Sequence, residues 1–153
     1  MPRDVPARWI IKSGEHQLAA SIARYTAGSK EERQGGFLHP RPRLCLGLFA
    51  AAEALGLGFV RGVPPHLCLD RLDADVLKEL GLSVLDSDRR SDVYIRTPSN
   101  REATFLAAVL RDGVPTSDVL QVWLDSSSHP ARGREQADEI RRRALKQLAR
   151  KHR

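Results

Sequence analysis

Between Asp118 and Ile140 the chain reads DVLQVWLDSSSHPARGREQADEI, and the side chains able to do chemistry crowd together there. Asp125, Ser126 to Ser128 and His129 are the residue types of a hydrolytic triad. Arg132, Arg134 and Glu135 could clamp an anion or ligate a metal. A nucleophilic serine needs a base within hydrogen-bond reach and a third group to orient that base. Such groups usually come from distant segments, and no G-x-S-x-G elbow occurs anywhere in the chain. Serines before Pro130 fit better as the end of one helix and the beginning of the next. Ser and His supply local hydrogen bonds there, and Pro suits a first helical turn. No catalytic residue is assigned. Asp125 falls near the C-terminal end of its helix, where the dipole disfavours a carboxylate, so a bidentate pair with Arg132 or Arg134 is expected.

Metal chemistry has two further candidates. Asp70, Asp73, Asp75, Asp86, Asp88 and Asp92 crowd the middle of the sequence. Converging carboxylates could serve a metal-dependent nucleic-acid-processing enzyme, which is the alternative reading of function. No acid-x-Lys pair follows Asp70 or Asp86 on a strand, and these aspartates fall where turns and a helix cap want them. Cys45 and Cys68, with His39 and His66, allow a Cys2His2 site to be drawn, but the spacing matches no finger or ribbon. Both cysteines lie in apolar runs, where a reduced thiol behaves as a small hydrophobe. Gly56-x-Gly58 lacks the third glycine of a dinucleotide fingerprint, and no Walker lysine is present. Neither a metal nor a cofactor is expected.

The chain has 153 residues, 41% hydrophobic and 29% charged, which fits one soluble domain with a real core. The formal charge is +6. After Glu139 come Arg141, Arg142, Arg143, Lys146, Arg150, Lys151 and Arg153 with no acid, and this stretch accounts for the whole excess. Such a tail can neutralise phosphates, although cations at a helix C-terminus also complement its dipole. Arg132, Arg134, Arg141, Arg142, Arg143, Lys146, Arg150 and Lys151 are therefore the candidate nucleic-acid contacts, with DNA the possible partner. No apolar run reaches the ~18 residues of a membrane helix, and Met1-Pro2-Arg3-Asp4 starts no signal peptide. No membrane partner and a cytoplasmic location are expected.

The elements that would position these groups read as follows. Ala7 to Lys12 suggests a strand, and Ser13 could cap a helix from Glu15 to Ala27 with Leu18, Ile22 and Tyr25 on one face and Gly28 as its stop. Residues 28 to 43 read as a long loop, functional or mobile. Leu44 to Gly58 is apolar nearly all round and reads as a central helix. His66 to Asp70 is a strand, Asp73 caps a helix to Leu80 closed by Gly81, and Leu82–Leu85 and Asp92–Arg96 are further strands. Phe105 to Leu110 is preferred as a strand before the Asp112-Gly113 turn. Asp118 and Gln121 have capping-box spacing for a helix with Val119, Leu120, Trp123 and Leu124 as its stripe. The last helix starts near Gly133 and buries Ala137, Ile140, Ala144, Leu145 and Leu148. The expected fold is α/β or α+β: a mixed sheet of about four to five strands packed with helices, closed by two C-terminal helices. Residues 1–153 form one domain, with 1–42 an extension and 43–153 the core.

Leu120-Gln121-Val122-Trp123-Leu124-Asp125, a short polar gap, and Pro130-Ala131-Arg132-Gly133-Arg134-Glu135-Gln136-Ala137 resemble the "LQ-x-x-LD … P-x-RG-x-E-x-A" wording of the C-terminal domain of AbiEi-type antitoxins. The upstream GLFAAAEALGLGF is similar to the "TG-x-SAA-x-x-LG" segment of those proteins. The resemblance covers roughly Arg43 to Ile140. It implies a non-enzymatic antitoxin and transcriptional regulator of a type IV bacterial toxin–antitoxin system, countering a nucleotidyltransferase-like toxin without needing to bind it. It also implies DNA-binding autoregulation, usually through an N-terminal winged helix, which residues 1–42 do not spell. Gln121, Leu124, Asp125, Arg132, Gly133 and Glu135 are the motif positions, and the family gives them structural roles with no catalytic residue.

Overall fold

The computed structural model describes residues 3–14, 16–33, 41–87 and 90–151. His39, Asp88, Arg153 and residues 34–40 of the 28–43 stretch whose role was in question lie outside those residues. The fold is mixed α/β, built on a seven-stranded sheet, more strands than the sequence suggested. In chain order the elements are β1 (Asp4–Trp9), α1 (Gln17–Arg33), β2 (Leu44–Gly47), α2 (Leu48–Ala54), β3 (His66–Leu69), α3 (Ala74–Leu80), β4 (Leu82–Val84) and β5 (Val93–Arg96). They continue with α4 (Arg101–Leu106), β6 (Val109–Arg111), β7 (Val114–Thr116), α5 (Val119–Ser128), α6 (Gly133–Ile140), a π turn (Arg141–Leu145) and α7 (Lys146–Lys151). The strand order is β4-β1-β5-β3-β2-β7-β6. β5–β3 and β2–β7 are parallel, and every other neighbouring pair is antiparallel.

The two strands the sequence did not suggest are β2 and β7, and a third, β6, is shorter than expected. Leu44 to Gly47 is not the first turn of a helix but a strand buried at every position. It lies between β3 and β7, and an apolar run of that kind looks the same in a buried helix and in a central strand. Leu48, at φ +48°, then turns the chain from β2 directly into α2. Gly47 is required just before it, since a Cβ there would sit 2.5 Å from the Cys68 Sγ. Phe105 to Leu110 splits: Asn100 caps α4 by accepting from the Ala103 amide, and β6 begins only at Val109. Asp112 and Gly113, both at positive φ, close the two-residue hairpin to β7.

Other boundaries moved less. β1 begins three residues before the expected Ala7, with Pro6 inside it, while Ile10 and Ile11 are left exposed. α1 runs on through Gly28 to Arg33, and Gln17 rather than Ser13 secures its start, accepting from the Ser13 amide and donating to the Ile11 carbonyl. Its Leu18, Ile22 and Tyr25 are buried as expected. α3 is framed as read, with Asp73 accepting from the Asp75 and Val76 amides and Gly81 left-handed at the end. The core joins these residues to Leu67, Leu69, Ile95, Val122 and Ile140. Among the described residues no helix is long and apolar enough to cross a membrane.

Candidate functional site

The Asp118–Ile140 stretch folds as a joint between two helices. Asp118 caps α5 by accepting from the Leu120 and Gln121 amides, but the Gln121 side chain does not reach back as a capping box would require. It donates instead to Asp125 Oδ1, one turn on, at 2.9 Å. Ser127 and Ser128 donate back to the Trp123 and Leu124 carbonyls, so these hydroxyls finish the helix. The stripe along α5 differs from the expected one: Val122 and Ser126 are buried, whereas Leu120 and Leu124 are 53% and 47% exposed. Leu148, expected on the buried face of the last helix, is likewise exposed, and Ala144 and Leu145 are only partly covered.

The motif positions explain how the joint closes. Gly133 lies so close to α5 that an added Cβ would meet the Ser126 carbonyl oxygen at 2.0 Å and the His129 Cβ at 2.6 Å. Arg132 does not hold Asp125, as had been expected, and nor does Arg134. The Arg132 guanidinium bonds Glu135 and donates to the Arg61 carbonyl at 3.3 Å, and the exposed Arg134 makes no ion pair among the described residues. Gln136, which the sequence reading did not single out, is fully buried. Its Oε1 accepts from the Phe59 and Val60 amides and its Nε2 donates to the Leu57 carbonyl. One side chain thereby satisfies three backbone groups of the loop after α2, which could not otherwise be buried cheaply.

A polar cluster lies where this joint meets the sheet. Asp4 opens β1 opposite Arg96, the last residue of β5. Arg96 donates from Nε to Asp4 Oδ1 at 2.7 Å and from Nη2 to Oδ2 at 3.2 Å. His66, 1% exposed at the start of β3, places Nε2 3.2 Å from Asp4 Oδ2. Its ring stacks on Tyr94, centroids 5.1 Å apart, and meets the edge of Phe49 at 6.0 Å. His129, the C-cap of α5, brings a second imidazole to the same Phe49 at 5.1 Å. A ligand atom from each of Asp4, His66 and His129 falls within 4.8 Å of the other two. Cavities of about 770 Å³ and 350 Å³ both reach Asp4 and His129, and the larger also takes in Arg96, Gln121, Leu124 and Asp125.

The charges in this cluster are unequally compensated. Burial would raise the Asp4 carboxyl, but hydrogen bonds from His66 and Arg96 and the Arg96 charge outweigh it and hold the group well below the usual carboxylate range. Asp125 goes the other way: burial pushes it up, and neither the Gln121 bond nor the more distant Arg96 offsets that fully. Burial lowers His129, helped by the neighbouring His66 and Arg96. Asp4, Arg96 and His66 had no signal as a group in the sequence, since Asp4 and Arg96 stand 92 positions apart and only the sheet register joins them.

The other candidates are dispersed. Asp70 faces Arg43 and Arg101, Asp73 caps α3, and Asp92 accepts from the Trp9 amide and pairs with Lys12. Among the described residues no three of the central aspartates share a site. Cys45 and Cys68 sit opposite each other on β2 and β3, buried, while His66 is engaged with Asp4. Of the basic residues, Arg142 and Arg143 pair with Glu139. Arg141, Lys146, Arg150 and Lys151 are exposed, with no ion pair among the described residues. Comparison with family models, with curated proteins and with solved structures gave no match for this chain.

Proposed function

We propose that this chain is a non-enzymatic antitoxin and transcriptional-regulator domain of the AbiEi type, acting in the cytoplasm against a nucleotidyltransferase-like toxin and contacting DNA phosphates through its last helix. The observation that carries the reading is the helix that begins at Gly133. Its family-like residues are spent on the joint, while its far end, from Arg141 to Lys151, presents Arg141, Lys146, Arg150 and Lys151 to solvent with no ion pair among the described residues. Gly133 to Lys151 is 19 residues, roughly 28 Å at 1.5 Å per residue, long enough to span several phosphates. Unpaired, exposed cations neutralise phosphates without first breaking an internal ion pair, which sets these four apart from Arg132, Arg142 and Arg143. The Ser127 and Ser128 hydroxyls are spent on the backbone of their own helix, and no catalytic residue is assigned. Co-expression with a nucleotidyltransferase-like toxin encoded beside this gene tests it: rescue of growth is expected.

A further inference from the structure

Beyond the regulator reading, and independent of it, we infer that Asp4, His66 and His129 bind a transition-series dication of the zinc class. Two imidazoles and a carboxylate form the donor set of an open zinc site, three protein ligands with room for a fourth. Ligands about 2.0 to 2.1 Å from a tetrahedral ion lie ~3.3 Å from each other. Asp4 Oδ2 and His66 Nε2 already stand 3.2 Å apart, so the ion replaces the proton shared between them. His129 completes the set by a small side-chain rotation, because all three ligand atoms fall within 4.8 Å. Its ring lies on the half-exposed joint, in a T-shaped contact with Phe49, and borders both cavities.

The surroundings suit a metal ligand set. Arg96 holds both carboxylate oxygens of Asp4, Nε on Oδ1 and Nη2 on Oδ2, and so orients the group as an outer-shell donor would, with Oδ2 3.2 Å from the His66 imidazole. Tyr94 and Phe49 fix the plane of His66. Asp125, a carboxylate with no ion pair among the described residues, adds negative charge near the site. Two features weaken the hold: the Arg96 charge opposes a cation, and among the described residues the buried Nδ1 of His66 has no hydrogen-bond partner for the proton it must carry once Nε2 binds. The site is therefore an exchangeable one, with an open position facing the smaller cavity, which Asp4, His66 and His129 all line and where a water or a small polar ligand would sit.

The test uses the full chain, stripped with a chelator and titrated with Zn²⁺ alone by calorimetry and with Co²⁺ alone by absorption. One ion per chain is expected, with His129→Ala and Asp4→Asn each weakening binding tenfold or more. His16→Ala, at an exposed histidine at the start of α1, should leave binding unchanged. His129→Gln guards against a folding artefact, and all variants must melt cooperatively without metal. The cobalt spectrum should lack the near-ultraviolet thiolate band that ligation by Cys45 and Cys68 would give. Failure of the wild type to bind Zn²⁺ at 100-fold molar excess would overturn the site. So would affinity unchanged in both His129 variants, or a thiolate band.

Discussion

Replacing Gly133 by alanine should be far more damaging than its small size suggests. The residue is buried at the first position of α6, and a Cβ built there stands 2.0 Å from the Ser126 carbonyl oxygen and 2.6 Å from the His129 Cβ. The nearest obstacle is backbone, so no side-chain rotation relieves it and α5 and α6 must move apart. Overpacking of this kind costs about 1 to 3 kcal/mol or more, and the separation also loosens the Gln136 hydrogen bonds to the loop at Leu57 to Val60. Alanine regains less than ~1 kcal/mol from helix propensity at such a terminal position. A net loss of about 2 to 3 kcal/mol follows, which lowers the melting temperature by roughly 5 to 10 °C for a domain of this size. Gly56→Ala is the matched control, because Gly56 is left-handed at φ +75° with nothing within 4 Å of its added Cβ. It should cost only about 1 kcal/mol, from backbone strain alone. Urea denaturation followed by circular dichroism measures both. If Gly133→Ala were neutral, or no worse than Gly56→Ala, the tight helix joint would not exist as described.

Asp125→Asn keeps the bond from Gln121 while removing a carboxylate near a helix C-terminus, and should stabilise the fold at pH 7 by about 0.5 to 1 kcal/mol. Because the folded-state pKa of Asp125 is raised, its stabilising contribution is complete below the unfolded carboxyl pKa. It is lost as pH climbs through the folded value, so the gain from asparagine should shrink toward pH 3 to 4. Urea melts at pH 4 and pH 7 would show it, and a larger gain at pH 4 would reverse the sign. Changing Arg141, Lys146, Arg150 and Lys151 together to alanine should flatten the log–log salt dependence of duplex DNA binding by roughly 2 to 4. Arg142→Ala with Arg143→Ala, which removes cations already paired with Glu139, should flatten it less. Equal slopes for the two sets would remove the distinction between paired and unpaired cations.

What the sequence made legible was whatever depends on neighbours along the chain. Asp73 and Gly81 frame α3, Asp112-Gly113 turns the β6–β7 hairpin, and the start of α6 at Gly133 could be read from local capping and turn chemistry. β2 could not, because Leu44-Cys45-Leu46 is buried on both faces in mid-sheet and its residues carry no periodicity. β1 was legible only in part, since it starts at Asp4 and carries Pro6 inside it, a residue that sheets seldom admit. The polar cluster was invisible for a different reason. Asp4, His66, Arg96 and His129 come from four separate segments, and only the register of β1, β5 and β3 and the α5–α6 joint bring them together. His129 had been noticed for the serines beside it, yet its neighbours in space are Phe49 and His66.

Growth of cells expressing a nucleotidyltransferase-like toxin encoded beside this gene, with and without this chain, tests the proposed regulator role most directly. Toxin expression alone should arrest growth, and co-expression of the wild-type chain should restore it. Gly133→Ala should rescue poorly in proportion to its lost stability. Arrest that persists with the folded, well-expressed wild-type chain, or the absence of such a toxin gene beside it, would contradict the account.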